Sequence, residues 1–271
     1  MKFVVCGCGQ PPLHPNDSVI AKILRAILPA RLRPSGYLEN LVRTHTDGRI
    51  RCGPFTGMRY NAGADGRVHL PKLLGIYERE LNGCLEQACA LNFPLIIDVG
   101  AAEGYYAVGM ALRNPKARVI AFEAESKSRV ALVEKARLNK VESRVEICGK
   151  CEPGDLERAL MGTQRPFLIC DVEGYEAVLL NPAAVLPLRR AFILVELHEF
   201  IERGITEKIR ERFVATHKIA QIWQQERTIA DFPFKDFYMR WLPESYLHWA
   251  VSESRPERMS WFWMKPIHAT A

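Results

Sequence analysis

Short apolar runs alternate with amphipathic stretches from Pro94 onward, and this pattern predicts the fold. Runs of this length, bounded by turn residues, are typical of buried strands. They lie at 95–100, 117–123, 143–149, 167–174, 191–200, 219–226 and 261–266. Apolar residues recur at helical spacing after Gly104 and over 126–139, 154–162, 175–187 and 202–217. Strands that alternate with helices predict a doubly wound α/β domain, with a parallel sheet of seven strands covered on both faces.

The first third of the chain has a different pattern. Residues 17–28 have the spacing of a short amphipathic helix, and residues 70–90 have that of a second helix. Between them, two Asp-Gly pairs within 47–68 predict a small hairpin or an irregular cap. We therefore predict that residues 1–90 form an N-terminal extension that caps a domain at 91–271. The apolar face of the first helix could pack on this domain or on a second copy in a homodimer.

Composition and charge narrow the class of protein. The chain has 271 residues, of which 48% are hydrophobic and 25% charged, as in soluble globular proteins. No apolar run approaches the ~20 residues of a membrane span. Eight scattered cysteines predict a reducing, cytoplasmic location rather than a disulfide framework. The net charge of +6 is concentrated in the first 90 residues, where a basic arm could meet nucleic acid, a membrane surface or an acidic substrate, although a solvated basic face is the simpler interpretation.

The first strand of the predicted sheet runs into a glycine turn, DVGAAEGY at 98–105. Ligands of open α/β sheets bind at the carboxyl ends of the strands. Gly100 lets the backbone turn sharply, and Gly104 permits a close approach at the helix start. Dinucleotide binding prefers GxGxxG, and this turn has no further glycine between the two. Its Asp98 and Glu103 would repel phosphates but attract the amino group and the sulfonium of S-adenosylmethionine.

An acidic residue also ends the second strand. Glu123 follows Gly104 by 19 residues, where a carboxylate can accept hydrogen bonds from both ribose hydroxyls. A glycine turn together with a ribose acid predicts S-adenosylmethionine as the cofactor. An NAD-dependent oxidoreductase is the least favoured enzyme class because the chain lacks GxGxxG at this turn.

Three segments resemble a known family. IIDVGAAEGYYAVGMA, VIAFEAE and LICDVEGYEAVLL are similar to the motifs of class I S-adenosylmethionine-dependent methyltransferases, more narrowly those of the FkbM type. GPFTGMRY (53–60) and LLGIYERELNGCLE (73–86) resemble the segment that precedes the core in such proteins. The resemblance implies a Rossmann-like, mostly parallel sheet of seven strands with an antiparallel last strand. It also implies methyl transfer to an oxygen of a sugar, a polyketide or a related small molecule.

The resemblance also implies roles for individual residues. The methionine half of the cofactor would contact Asp98, Gly100, Ala101, Glu103 and Tyr105. Glu123 would hold the ribose with Ala124 and Glu125 beside it, the turn Cys148-Gly149-Lys150 would lie at the adenine edge, and Asp171 would stand beside the reacting methyl. Ala124 departs from the family pattern, since many relatives have proline there.

Four polar side chains follow the fourth and fifth strands. Asp171 and Glu173 are two residues apart, as are Glu196 and His198, so each pair would face one way in an extended strand. The four could bind Mg²⁺ or Mn²⁺, which would lower the pKa of the acceptor hydroxyl. His198 alone could instead be the base. Alternatively, Glu173 and Glu176 flank a helix start, and Glu196 pairs with an arginine.

Two other features allow further hypotheses. Cys148 and Cys151 form a CxxC motif, which is consistent with a redox function. The simpler interpretation is that the two thiols are buried or line a pocket. Ten aromatic residues lie in 232–263. Most are expected in the core, whereas a few rings could stack on a sugar or aromatic acceptor. Arg240 and Arg255 could bind an acidic group of that acceptor.

The sequence thus predicts an S-adenosylmethionine-dependent O-methyltransferase for a small-molecule or sugar-containing acceptor. An RNA methyltransferase that uses the basic N-terminal third is the alternative enzyme. Against it, the fourth strand ends in Asp171-Val172-Glu173-Gly174 rather than in an Asn-Pro-Pro-Tyr-like motif. A non-catalytic protein of the same fold is the alternative from another class.

Overall fold

A seven-stranded sheet forms the centre of the computed structural model, which describes residues 33–61 and 69–268. All seven predicted strands are confirmed: β1 (Leu95–Val99), β2 (Arg118–Phe122), β3 (Val145–Cys148), β4 (Pro166–Cys170), β5 (Phe192–Leu197), β6 (His217–Trp223) and β7 (Ser260–Pro266). Their order is β3-β2-β1-β4-β5-β7-β6. The first five strands are parallel, whereas β7 pairs antiparallel with both β5 and β6. The α/β class and the mostly parallel sheet are therefore as predicted.

Helices connect these strands. The described residues form α1 (Pro34–Thr46), α2 (His69–Leu74), α3 (Asn82–Ala90), α4 (Tyr105–Arg113), α5 (Ser126–Leu138), α6 (Pro153–Leu160), α7 (Glu176–Leu179), α8 (Ile205–Phe213) and α9 (Glu244–Val251). Short 3₁₀ turns lie at Arg79–Leu81, Leu186–Arg190, Ile229–Asp231 and Phe237–Trp241. Among the described helices, none combines the length and the apolar character that crossing a bilayer requires.

The central strands are buried from end to end. Every residue of β1, β4 and β5 is buried, as expected for parallel strands that are covered on both faces. At the amino ends of these strands, the ring of Phe93 stacks on Phe167 at 5.2 Å and lies 4.9 Å from Phe192. The opposite, carboxyl ends therefore remain available for a site.

The chain divides into two compact units. The larger, called here the sheet unit, comprises Glu78–Gln225 and Arg255–Ala271. The smaller unit comprises Met1–Tyr77 and Glu226–Ser254. These limits differ from the predicted boundary between residues 90 and 91, because α3 belongs to the sheet unit and the segment between β6 and β7 to the smaller one. The capping role of the N-terminal extension stays a prediction.

The smaller unit contains the first half of the predicted hairpin. Asp47 and Gly48 form a turn with positive φ, and Arg49 pairs antiparallel with Arg59 in a single bridge. The second Asp-Gly pair, Asp65-Gly66, and the predicted helix at 17–28 lie outside the described residues. In the same unit, Arg227 forms a buried ion pair with Glu253 at 2.6 Å.

The helix predicted over 70–90 is wrong as a continuous element. It is broken after α2 by Gly75, whose φ is +75° and where a Cβ would lie only 2.1 Å from the carbonyl oxygen of Cys52. Glu78 follows with a left-handed φ of 45°. Periodicity alone could not reveal this break, since the apolar spacing continues across it.

The helix predicted over 175–187 is also shorter than expected. Only α7 is α-helical, and a 3₁₀ turn follows at Leu186–Arg190. Pro182 and Pro187 lack the N–H groups that a continuous helix needs. The connection from β4 to β5 therefore begins with a short helix whose first residue, Glu176, is buried.

Candidate functional site

The glycines of the turn between β1 and α4 serve packing inside the protein. Gly100 has a φ of +83°, and a Cβ there would lie 1.6 Å from the backbone oxygen of Asp171. Gly104 has a φ of +89°, and a Cβ there would lie 2.8 Å from Leu132 of α5. Two glycines thus bring the ends of β1 and β4 together and seat the start of α4 against α5.

Backbone N–H groups of this turn are bonded within the protein. Gly100 and Ala101 both donate to the carbonyl oxygen of Phe122, at 2.9 and 3.0 Å. Gly104 donates to Ala101 at 2.7 Å, and Ala102 donates to the carboxylate of Glu123 at 2.7 Å. A phosphate-binding turn instead directs its N–H groups at the ligand. At these four positions the turn therefore provides no cradle for a pyrophosphate.

Glu123 stands at the carboxyl end of β2 in a defined orientation. One carboxylate oxygen accepts the N–H of Ala102 and the other accepts the N–H of Glu125, each at 2.7 Å. The side chain is half-exposed. Because a carboxylate oxygen can accept two hydrogen bonds, each oxygen retains acceptor capacity. This arrangement fits two vicinal ribose hydroxyls.

The residues predicted to contact a cofactor fall into two groups. Those with exposed or half-exposed surface at the strand ends are Gly100, Glu103, Glu123, Ala124, Cys148, Gly149 and Asp171. Those that are buried are Asp98, Ala101, Gly104 and Tyr105. The first group lies at the ends of β1, β2, β3 and β4, which are neighbours in the sheet. Ala102, which the motif comparison passed over, is exposed in the same turn and has a left-handed φ of 46°.

Asp98 is a buried acid within β1. The N–H of Ala107 bonds to its carboxyl group, whereas its Oδ2 has no hydrogen-bond partner. Burial raises the pKa of Asp98 to about 8, and the charges of Asp171, Glu123 and Glu103 act in the same direction. The Asp98 carboxyl group therefore retains its proton at neutral pH.

This proton predicts a pH dependence of stability. The folded chain holds it up to about pH 8, whereas the unfolded chain releases it near the ordinary pKa of 3.8. Its stabilising contribution is therefore complete below the unfolded pKa of 3.8 and is lost progressively as pH rises from there to about 8. We expect Asp98→Asn to become more stable relative to wild type as pH increases, by up to about 1.4 kcal/mol per pH unit in this window. Urea denaturation across the pH range measures it, with the exposed Asp47→Asn as control, and parallel pH curves for wild type and Asp98→Asn would contradict it.

Three of the predicted catalytic side chains converge at the ends of β4 and β5. One ligand-type atom from each of Asp171, Glu196 and His198 lies within 4.8 Å of the others. The Nε2 atom of His198 is 3.5 Å from Asp171 and 4.0 Å from Glu196. A hydrogen bond joins the two carboxyl groups, and it requires that one of them carries a proton.

Glu173 does not belong to this cluster, contrary to the prediction. The expectation assumed an extended strand, but β4 ends at Cys170 and Glu173 has a left-handed φ of 46°. Its side chain is exposed. Glu176, for which the sequence predicts only a helix-flanking position, lies next to His198 instead.

Glu176 fixes the imidazole of His198. Its buried carboxylate lies 2.5 Å from Nδ1, so Nδ1 donates and Nε2 faces Asp171 and Glu196. Burial alone would lower the pKa of His198, but the hydrogen bond to Glu176 and the charge of Asp171 outweigh it and raise the pKa. The imidazole is therefore favoured in its protonated form beside the carboxylates.

Asp171 is the member of this cluster that reaches solvent. Its side chain is 34% exposed, whereas those of His198, Glu196 and Glu176 are at most 5% exposed. Burial among neighbouring groups raises the pKa of Asp171 to about 6, although the charge of His198 opposes this. A carboxylate with such a pKa can accept a proton near neutral pH.

Glu196 also belongs to a second network, which is formed by charged side chains and a tyrosine hydroxyl. Burial and the charges of Asp171 and Glu78 raise its pKa well above the ordinary value, against the charge of Arg255. Arg255 pairs with both Glu196 and Glu78, and the hydroxyl of Tyr106 donates to Glu78. Four carboxyl groups thus face two cationic side chains: Glu78, Asp171, Glu176 and Glu196 against His198 and Arg255.

Two of these contacts bear on the sequence predictions. Arg255 is engaged inside the sheet unit, which contradicts its predicted role toward an acidic acceptor and agrees with the alternative that Glu196 pairs with an arginine. Glu78 lies within the segment 73–86 that resembles the family, but no role was predicted for it, because its partner Arg255 lies 177 residues away. Its isolated left-handed φ could not be read from the sequence.

The remaining hypotheses concern thiols and rings. Burial raises the pKa of Cys151 to about 12 and also raises that of Cys148, which opposes a reactive CxxC. Of the ten aromatic residues in 232–263, five are buried: Phe232, Tyr246, Trp261, Phe262 and Trp263. Three others, at 237, 238 and 241, are exposed, which is more than a core segment would show.

No protein-family model matches the chain, and no curated protein matches it. Solved structures that are similar include the O-methyltransferase from Bacillus cereus in complex with SAH, at 13% identity over 92% of this chain and 98% of that chain, with a TM-score of 0.43. The precorrin-6y C5,15-methyltransferase from Geobacter metallireducens is 15% identical over 53% of this chain and 76% of that chain, with a TM-score of 0.40. The B. subtilis tRNA methyltransferase TrmK is 10% identical over 66% of this chain and 64% of that chain, with a TM-score of 0.39.

Proposed function

We propose that the chain is an S-adenosylmethionine-dependent methyltransferase. The observation that carries the proposal is the bond between Glu123 and the glycine turn. This hydrogen bond occupies the N–H of Ala102, which is then not available to a phosphate. It also orients the Glu123 carboxylate, whose oxygens can accept further hydrogen bonds, at the carboxyl ends of the strands. Neutral ribose hydroxyls suit this site, and a pyrophosphate does not.

The charge of the site supports a cationic cofactor. Asp171 and Glu103 have exposed or half-exposed surface near the turn, and the carboxyl groups of the cluster outnumber its cationic side chains. A sulfonium and an amino group are stabilised by such surroundings, whereas phosphates are repelled. The same argument favours a small-molecule acceptor over RNA.

We propose O-methylation of a hydroxyl on a small-molecule or sugar-containing acceptor. Bound S-adenosylmethionine supplies an electrophilic methyl group on its sulfonium. Asp171, the solvent-reaching carboxylate, would accept the proton that the acceptor hydroxyl loses as its oxygen bonds to the methyl carbon, while the bond from that carbon to sulfur breaks and S-adenosylhomocysteine leaves. The positive charge of His198 stabilises the Asp171 carboxylate, and Glu176 holds the imidazole in place. In this proposal the base is Asp171, and His198 is a positioning residue.

Methyl transfer assisted by a divalent cation is the second candidate function, favoured by the convergence of Asp171, Glu196 and His198 within 4.8 Å. Oxygen and imidazole ligands suit Mn²⁺, and Glu176 on the far nitrogen resembles the outer partner of a metal-bound histidine. However, Glu196 is already paired with Arg255 and hydrogen-bonded to Asp171. These contacts favour the metal-free arrangement.

Methyl transfer from labelled S-adenosylmethionine to a panel of hydroxyl compounds tests the proposal. We expect label in sugar or polyketide acceptors and none in RNA. Prior exhaustive chelation is expected to leave the rate unchanged, and added Mg²⁺ or Mn²⁺ is expected not to raise it. A rate that collapses on chelation and returns with Mn²⁺ would establish the metal instead, and label in RNA alone would refute the acceptor class.

A further inference from the structure

The smaller unit exposes three large aromatic side chains on a single 3₁₀ turn, Phe237–Trp241. Phe237 is 63% exposed, Tyr238 is 64% exposed and Trp241 is 76% exposed. Single exposed apolar residues are common on protein surfaces, but a contiguous cluster marks an interaction site. We call Phe237, Tyr238 and Trp241 the aromatic turn.

Contacts within the smaller unit hold this turn in place. Asp236, the residue before it, accepts a hydrogen bond from the hydroxyl of Tyr37 at 2.6 Å. The rings of Tyr37 and Tyr238 meet edge-on, with their centroids 6.5 Å apart. The ring centroids of Phe234 and His45 are 4.6 Å apart. Since Tyr37 and His45 both belong to α1, two residues of this helix contact the aromatic turn or the residues just before it.

The ring geometry disfavours a flat ligand. The guanidinium of Arg240 lies over the Phe237 ring, 3.4 Å from its centroid. The rings of Phe237 and Tyr238 are nearly perpendicular, at 89°, and those of Tyr37 and Tyr238 cross at 79°. A sugar or a planar acceptor would need an open ring face, whereas these rings project at different angles, as in a wedge.

Basic residues accompany the aromatic turn. Lys235 and Arg240 are both exposed beside it. The described residues of the smaller unit, 33–61, 69–77 and 226–254, contain 9 Lys and Arg residues and 7 Asp and Glu residues, a net charge of +2. Its charge is therefore complementary to an anionic surface.

We propose that the aromatic turn is a docking surface for an anionic phospholipid membrane. Tryptophan and tyrosine favour the boundary between lipid headgroups and acyl chains, where their rings are buried and their polar edges stay hydrated. Lys235 and Arg240 would meet the lipid phosphates while the three rings enter that boundary. The inference does not depend on methyl transfer, because every residue in it lies outside the sheet unit.

Flotation of the full chain with lipid vesicles tests this inference. We expect binding to vesicles of phosphatidylcholine with phosphatidylserine, weaker binding to phosphatidylcholine alone, and loss of binding at high salt. Trp241→Ala and Phe237→Ala should each lower the partition coefficient about tenfold, and Arg240→Gln about fivefold. The matched control is Trp223→Ala, which removes a tryptophan that is 48% exposed with Arg258 over its ring, but in the sheet unit.

Three outcomes would overturn the inference. Wild-type protein that does not float with anionic vesicles is one, and equal binding by Trp241→Ala, Phe237→Ala and wild type is the second. The third is a self-association in sedimentation velocity that Trp241→Ala abolishes, which would make the turn an interface between copies. Unchanged thermal midpoints and unchanged binding of S-adenosylhomocysteine in the variants separate the loss of docking from misfolding and from failure of the proposed function.

Discussion

Replacing Asp171 by asparagine is expected to lower the rate constant of methyl transfer by about 10² to 10⁴, the usual contribution of a positioned proton acceptor. The substitution keeps the size and polarity of the side chain but removes its ability to take a proton. Because Asp171 is the solvent-reaching member of its cluster, the loss should appear in kcat, while the affinity for S-adenosylhomocysteine changes little. Rate measurements and calorimetry on the same preparations give both quantities.

The pH profile provides a sharper readout of the same prediction. With a pKa of about 6 for Asp171, the wild-type rate should rise as pH increases through 6, because the carboxylate is the active form. Asp171→Asn should lack that limb. Glu173→Gln is the matched control, since Glu173 is an exposed acid two residues away. Equal loss of rate in both variants, or an unchanged limb in Asp171→Asn, would remove Asp171 as the base.

Replacing Arg255 by methionine is expected to destabilise the fold by about 3–5 kcal/mol at neutral pH. The side chain is 15% exposed and pairs with two carboxyl groups that are each 2% exposed, those of Glu78 and Glu196. Without Arg255 the carboxylate of Glu78 stays buried without its counter-charge, and Glu196 loses a charged hydrogen-bond donor. Urea denaturation at several pH values measures the free energy of unfolding.

Two further variants control for lost packing. Arg255 lies over the ring of Trp261 at 5.5 Å, and Arg258 lies in the same way over that of Trp223 at 5.1 Å. Arg258→Met removes this exposed arginine and should cost well under 1 kcal/mol. Glu78→Gln combined with Arg255→Met should recover part of the loss, since one buried charge is gone. A double variant no more stable than Arg255→Met alone would show that packing, rather than charge, accounts for the effect.

The sheet could be predicted almost completely from the sequence. Buried parallel strands such as β1 and β4 are continuous apolar runs, and their ends coincide with turn residues. The convergence of Asp171, Glu196 and His198 followed from the same pattern, because the carboxyl ends of neighbouring parallel strands share one edge.

Local conformation decided the parts that could not be predicted. Glu173 left the cluster because a left-handed φ turns the chain after β4, and such a φ at a non-glycine residue has no sequence signature. Glu78 has a left-handed φ of 45°, and this conformation likewise has no sequence signature. Partners that are 59 and 177 residues apart, as Arg255 is from Glu196 and Glu78, are joined by tertiary structure alone.

Calorimetric titration with S-adenosylhomocysteine and with NAD, on wild type and Glu123→Ala, tests the central claim most directly. We predict that wild type binds S-adenosylhomocysteine and not NAD, and that Glu123→Ala binds it at least about tenfold more weakly, since two hydrogen bonds to a charged group are lost. Glu125→Ala, which removes a neighbouring exposed carboxylate, should bind as wild type does. Binding of NAD, or equal affinity for S-adenosylhomocysteine in wild type and Glu123→Ala, would contradict the account.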